Sequence, residues 1–247
     1  MALIRTDDKH YNDIAQKVRD IKGTGEMLFP SEMAQAVQEV YDKGLADGQA
    51  QGGGENPLYY ATNLSGTFNA AKFPENYSLT IHLANTPNNL YQAFAYTKNL
   101  KSIKIITDDK ESLIPLNQTF RGEQDNSIDV ETIDLTECSR NLTNIDYMCY
   151  LASKLKSILG ALDLSNCTSF NYSFFASNLV DIEIVPNTIK ANIRFSSNVL
   201  SDLSKQSIID GLAQTETLLQ LDLQPSVINS LSVEQQTEIL LKNWEVI

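Results

Sequence analysis

From Leu58 onward the chain is punctuated by short apolar segments of period two: LTIHL at 79 to 83, SIKII at 102 to 106, TIDL at 132 to 135, ALDL at 161 to 164 and DIEI at 181 to 184. Alternation of this kind gives a strand one buried and one solvated face, because successive side chains point to opposite sides. The central residues Ile81, Ile103, Ile133, Leu162 and Ile182 recur every 20 to 30 positions. Recurrence on that scale predicts a solenoid over 58–200, each repeat giving one strand and one return segment. A single strand with its return segment cannot close a core, so the apolar residues of each repeat must stack on those of the next.

The return segments carry an aromatic residue or Met before an L-x-x-I step, as in Phe94 to Leu100-x-x-Ile103, Met148 to Leu155-x-x-Ile158 and Phe175 to Leu179-x-x-Ile182, with Phe120 opening a further copy. Phe94, Phe120 and Phe175 therefore read as core wedges. Cys138 and Cys167 stand at matching places in IDLTEC and LDLSNC and read as small, buried and inert. Nineteen asparagines from Asn63 onward suit tight corners, since Asn tolerates left-handed backbone. The last stretch, 201–247, departs from this pattern and predicts a capping unit. Leu203, Ile208, Ile209 and Leu212 suggest a helix, and LLQLDL a strand. Pro225 begins a helical turn, Ser232 with Gln235 a capping box, and NWEVI a final strand, with Trp244 inside the cap.

Five of the eleven glycines fall between Gly44 and Gly54, which marks 51–57 as a linker. Before it, residues 1–50 show two short helical stripes, Tyr11, Ile14, Val18 and Ile21, then Met33, Val37 and Val40. Helices this short are marginal alone, so these faces are the candidate surface for oligomerisation or for attachment to a partner. The alternative is a helical hairpin docked on its own downstream domain.

Composition narrows the function. A net charge of −12 argues against a general binder of nucleic acid or anionic membrane, both of which require a basic surface. Three cysteines without a C-x-x-C pair and two isolated histidines offer no basis for a structural zinc, a disulfide scaffold or a cofactor site. The N-terminus has no signal-peptide pattern and no apolar run approaches a membrane span, which predicts a soluble product made in the cytoplasm.

The segment Tyr11-Asn12-Asp13-Ile14-Ala15 through Lys22-Gly23-Thr24, followed by Met27-Leu28-Phe29-Pro30-Ser31-Glu32-Met33-Ala34, resembles one that opens tail and baseplate-associated proteins of phages and prophages of Gram-positive bacteria. The strand-bearing stretch resembles the irregular leucine-rich repeats of BspA-like surface proteins, which implies an α/β fold in the form of an irregular leucine-rich-repeat solenoid over 58–200. The ending, SIIDGLAQ and then PSVINSLSVEQQTEILLKNWEVI, is similar to the C-terminal unit of phage proteins with such repeats. The resemblance implies a virion component of the tail. Its N-terminal helices would hold it to other tail proteins or to its own copies, commonly as a trimer, while the remainder faces a host polysaccharide or surface protein.

Strand alternation places Thr80, His82, Lys104, Asp134, Asp163 and Glu183 on the solvated face as a polar row, the candidate ligand-binding surface. The row reads equally as the ordinary wet side of a sheet. Tyr96, Tyr147, Tyr150 and Tyr172 could add flat surfaces for sugar rings. Two other classes compete with host recognition. One is a purely structural virion subunit, which would require an apolar contact patch. The other is a wall hydrolase built on Asp134 and Asp163, which neighbouring rungs would hold about 5 Å apart. Equivalent carboxylates arise automatically from a repeat, so no catalytic residue is assigned.

Overall fold

The computed structural model describes residues 58–61, 64–83, 89–107, 113–125, 127–140, 142–196 and 198–247, which fall in one compact unit, Leu58–Ile247. The linker and the helical stripes of Tyr11, Ile14, Val18, Ile21, Met33, Val37 and Val40 lie outside the described residues. The strands in chain order are β1 (Leu58–Ala61), β2 (Lys72–Leu83), β3 (Lys98–Thr107), β4 (Ile114–Pro115), β5 (Thr132–Asp134), β6 (Leu142–Asn144), β7 (Ser157–Leu162), β8 (Asp181–Ile184), β9 (Ile193–Phe195), β10 (Leu219–Leu223) and β11 (Trp244–Val246). Three helices follow β9: α1 (Asp202–Gly211), α2 (Pro225–Ile228) and α3 (Val233–Leu241). None of the described helices is long and apolar enough to cross a membrane.

The strands sort into three parallel sheets. Six form one sheet in the order β1-β2-β3-β5-β7-β8, three form β11-β10-β9, and β4 pairs with β6 alone. Across the large sheet the register aligns Leu79, Ile103, Ile133 and Ile158, all buried. This arrangement overturns the expected leucine-rich-repeat solenoid. The described chain divides among separate six-, three- and two-stranded parallel sheets with helices confined to its last part, and so lies closer to an α/β domain. Period-two alternation reports that one face of a strand is buried. The five alternating segments all fall on or at the ends of strands of the large sheet, whereas β4, β6 and β9, which pair outside it, are two or three residues long and too short to show alternation.

Between the strands, turn segments hydrogen-bond to the turns that follow them. The N–H of Phe68 donates to Ala93 O, that of Phe94 to Thr119 O, that of Phe120 to Met148 O (each 2.9 Å) and that of Cys149 to Ser173 O (2.8 Å). These bonds satisfy backbone groups that burial would otherwise leave unpaired. They also stack one side chain per turn: Phe68 on Phe94 at 5.2 Å and Phe94 on Phe120 at 5.6 Å between ring centroids. The buried Cys149 takes the next place and Phe174 the one after, stacked on Phe195 at 4.9 Å. Phe94 and Phe120 are thus core wedges as expected. Phe175 is not: Phe174 fills the interior place and Phe175 stays half-exposed.

Helix α1 closes one edge of the large sheet. The backbone N–H groups of Ile182 and Ile184 on β8 donate to Ser204 Oγ (2.9 Å) and Ser207 Oγ (2.8 Å). Gly211 lets the helix approach, since a Cβ there would sit 2.7 Å from Ile184 Cγ2. The remaining expected elements of the ending are present. Ser232 and Gln235 exchange the two bonds of a capping box at α3, and Trp244 is buried with its indole N–H donating to Ala213 O at 2.9 Å. Leu203, however, points away from the core at 85% exposure.

Candidate functional site

Two faces compete for a binding role. On the solvated side of the large sheet, strand register sets Thr80, Lys104, Asp134 and Leu159 in one row. His82 lies opposite Ile106, and Glu183 opposite Ala161. The predicted row is therefore broken after Asp134. Asp163 lies just beyond the end of β7, where its carboxylate accepts the Ser165 N–H at 2.9 Å. The cause is Gly160 at φ +99°, which shifts the register between Ser157 and Ala161. A Cβ at Gly160 would stand 2.9 Å from Thr136 N, so the bulge packs directly on the preceding turn. Asp134 and Asp163 consequently do not share a rung, and the geometric ground for a carboxylate pair is removed.

Charges on these strands and on the residues just before them are largely paired. Lys154 pairs with Asp129 at 2.8 Å and Lys156 with Glu131 at 2.7 Å, while Lys104 lies 3.8 Å from Asp134 and 3.9 Å from Glu137. Desolvation pushes the Asp129 carboxyl upward, but hydrogen bonds from Lys154 and the Asn99 N–H outweigh it and hold the group below its ordinary value. The Lys156 hydrogen bond lowers Glu131 in the same way. Exposed pairs of this type contribute about 0 to 1 kcal/mol each, and leave little unsatisfied charge for a ligand.

The second face lies on the turns. Ladder hydrogen bonds align Gln92, Gln118, Tyr147 and Tyr172 in successive turns, and three residues further on Ala95, Arg121, Tyr150 and Phe175. Tyr147 stacks on Tyr172 at 5.4 Å and Tyr150 on Phe175 at 5.8 Å. The two stacks meet edge to face, with Tyr150 and Tyr172 at 88° and Tyr172 and Phe175 at 83°. Arg121 lies over Tyr147 and Tyr150 at 6.0 and 5.6 Å, and Arg194 lies over Tyr172 and Phe175 at 4.8 and 5.5 Å. All six side chains are half-exposed.

The ring faces are therefore turned toward one another and toward the two guanidinium groups. The flat sugar platforms expected of Tyr147, Tyr150 and Tyr172 are not on offer. What remains for a ligand is ring edge, which carries the positive part of the aromatic quadrupole, together with N–H and O–H donors. Each aromatic pair contributes about 0.5 to 1.5 kcal/mol beyond burial, so the cluster also stabilises the turns it sits on.

Left-handed backbone belongs to these turns rather than to particular side chains, since Ala70, Leu151 and Ala176 adopt it as well. Gln92, Gln118, Tyr147 and Tyr172 all have φ between 51° and 57°, and the corresponding place in the first described turn is Gly66 at 66°. Glycine meets that requirement without cost, whereas a side-chain-bearing residue in left-handed backbone costs about 1 to 2 kcal/mol. Sequence reading named Tyr96, Tyr147, Tyr150 and Tyr172 but missed Arg121, Arg194, Gln92 and Gln118. The signal that could have found two of them is the recurring three-residue spacing of Gln118 to Arg121, Tyr147 to Tyr150 and Tyr172 to Phe175.

The cysteines stand apart from both faces. All three are buried, and burial pushes the thiols of Cys138 and Cys167 up to about 12. Among the described residues no group of three or more His, Cys, Asp or Glu side chains is placed to hold a metal ion. Comparison with protein-family models, with curated proteins and with solved structures finds no match for this chain.

Proposed function

We propose that the chain is a non-enzymatic tail-fibre or baseplate component of a phage or prophage of a Gram-positive host. In this reading residues 58–247 bind the host cell surface, and residues 1–50 attach the protein to other tail proteins or to its own copies, a trimer being favoured. The terminal segments support the tail assignment through their resemblance to phage proteins. The observation that carries a binding role is the half-exposed cluster of Tyr147, Tyr150, Tyr172 and Phe175, capped by Arg121 and Arg194. Interfaces favour these residue types, because Tyr and Arg combine large contact area with directional hydrogen bonding. Multiple copies would strengthen weak single contacts by about 10² to 10⁴ through avidity.

The test is binding of labelled full-length protein to intact susceptible cells. Tyr147→Ala combined with Tyr172→Ala is expected to reduce binding at least tenfold while the far-ultraviolet circular dichroism stays unchanged. Undiminished binding by that variant would remove this surface from host recognition. A purely structural virion subunit is the second reading, favoured by Leu203, Val233, Leu240 and Leu241, which are 69% to 85% exposed on α1 and α3. Failure of the unaltered protein to bind any susceptible cell, with normal incorporation into tails, would select it.

A further inference from the structure

We propose that the tyrosine and arginine surface takes an oxyanion, a phosphate or carboxylate carried on a saccharide polymer, and that Arg121 with the Gln118 amide receives it. The inference rests on the binding role proposed above and specifies its ligand. Its ground is a difference between the two arginines. Arg194 donates from Nε to Asp222 at 2.6 Å, so its charge is already matched. Arg121 donates from Nη1 to the neutral Gln118 Oε1 at 3.1 Å, and no ion pair joins it to a carboxylate among the described residues.

Asp146 accepts from the Ser169 hydroxyl and from the Asn171 backbone and side chain. Glu123 is exposed and forms no ion pair with Arg121 among the described residues. Gln118 sharpens the point. Its Oε1 accepts a second bond, from Gln92 Nε2 at 2.9 Å, which fixes the orientation of the amide. The Gln118 NH₂ group is thereby left without an acceptor among the described residues, beside a guanidinium with unspent donors. The faces of Tyr147 and Tyr150 hold the guanidinium in place, at 6.0 and 5.6 Å from the ring centroids, without taking up its N–H donors. Donors gathered without an internal acceptor fit a ligand that brings only acceptors. An oxyanion does so, and its hydrogen bonds to a guanidinium are about twice as strong as neutral ones.

Binding of the full-length protein to three immobilised polymers tests the idea: phosphorylated dextran, polygalacturonate and neutral dextran. An anionic polymer is expected to bind at least tenfold more tightly than neutral dextran, with affinity falling as salt rises from 50 to 300 mM. The better of the two anionic probes identifies phosphate or carboxylate as the source. Arg121→Gln should weaken that binding about tenfold to a hundredfold, the range for a charged hydrogen bond. Gln118→Glu should weaken it similarly, because a carboxylate there would pair with Arg121 and repel the ligand. It also keeps the shape of the side chain, which separates loss of binding from loss of fold. Equal binding of all three polymers, or unchanged binding by both variants, would overturn the proposal. Should cells still be bound in that case, host recognition stands and only the anionic ligand falls.

Discussion

At the scale of single residues, neighbouring positions can carry opposite duties. Phe174 is fully buried and stacks on Phe195, whereas Phe175 stands half-exposed between Tyr150 and Tyr172. Truncating Phe174 to Ala empties a packed interior place and is expected to cost about 3 to 5 kcal/mol in chemical denaturation. Phe175→Ala should cost about 1 kcal/mol, that of its lost ring contacts, and should instead lower cell binding. A larger destabilisation from Phe175→Ala than from Phe174→Ala would reverse the assignment. Sequence reading could not separate the two, because the pair Phe174-Phe175 sits in a turn with no periodicity to say which ring points inward. It did place Phe94, Phe120, Cys138, Cys167 and Trp244 in the interior, since each stands at a recurring place beside a legible strand or in the cap. The arginines escaped notice for the opposite reason. A charged residue in a turn is unremarkable until ladder hydrogen bonds show which rings lie beside it.

At the scale of elements, strand positions were legible where alternation was clean, as at β2, β3, β5 and β8. The exception is instructive. Leu162 was read as the centre of its strand, whereas β7 begins at Ser157 and the residue in register with Ile133 is Ile158. Gly160 inserts a bulge that breaks the period, and Asp163 leaves the predicted polar row with it. Partition into three sheets was illegible for a related reason: pairing is decided by which backbone edges meet, and side-chain period carries no record of that. The edge at β8 shows how such a choice is enforced. Ser204 and Ser207 on α1 accept the N–H groups of Ile182 and Ile184, so the helix occupies the place of a further strand. Ser204→Ala would leave the Ile182 N–H buried without an acceptor, and is expected to cost about 1 to 3 kcal/mol. Faster amide hydrogen exchange at Ile182 in that variant, with exchange at Ile133 unchanged, is the accompanying signature. Unchanged exchange and stability would mean that the helix is held by packing alone.

For the whole molecule, the net charge of −12 and the three cysteines that first served to exclude partners and cofactors set how stability varies with pH. On the acid side, Asp129 and Glu131 have carboxyls held below their ordinary values, so their contribution is present above the unfolded pKa and is lost as pH falls through the folded one. On the alkaline side the thiols contribute from the lowest pH. Burial raises Cys138 and Cys167 to about 12 and raises Cys149 as well, while an unfolded thiol titrates near about 8.5. A folded value above the unfolded one means that this contribution is complete below about pH 8.5 and is lost as pH rises from there toward 12. Each thiol that ionises only on unfolding lowers the unfolding free energy by about 1.4 kcal/mol per pH unit in that window. Urea denaturation in the presence of reductant, at intervals from pH 7.5 to 10.5, is therefore expected to show a steeper alkaline loss for the native sequence than for a variant carrying Cys138→Ala, Cys149→Ala and Cys167→Ala. The variant removes the thiols while the lysines and tyrosines titrate as before, so the difference between the two slopes isolates the cysteines. Parallel slopes would show that the thiols ionise in the folded protein as they do in the unfolded chain, and that the turns around Cys138, Cys149 and Cys167 admit solvent.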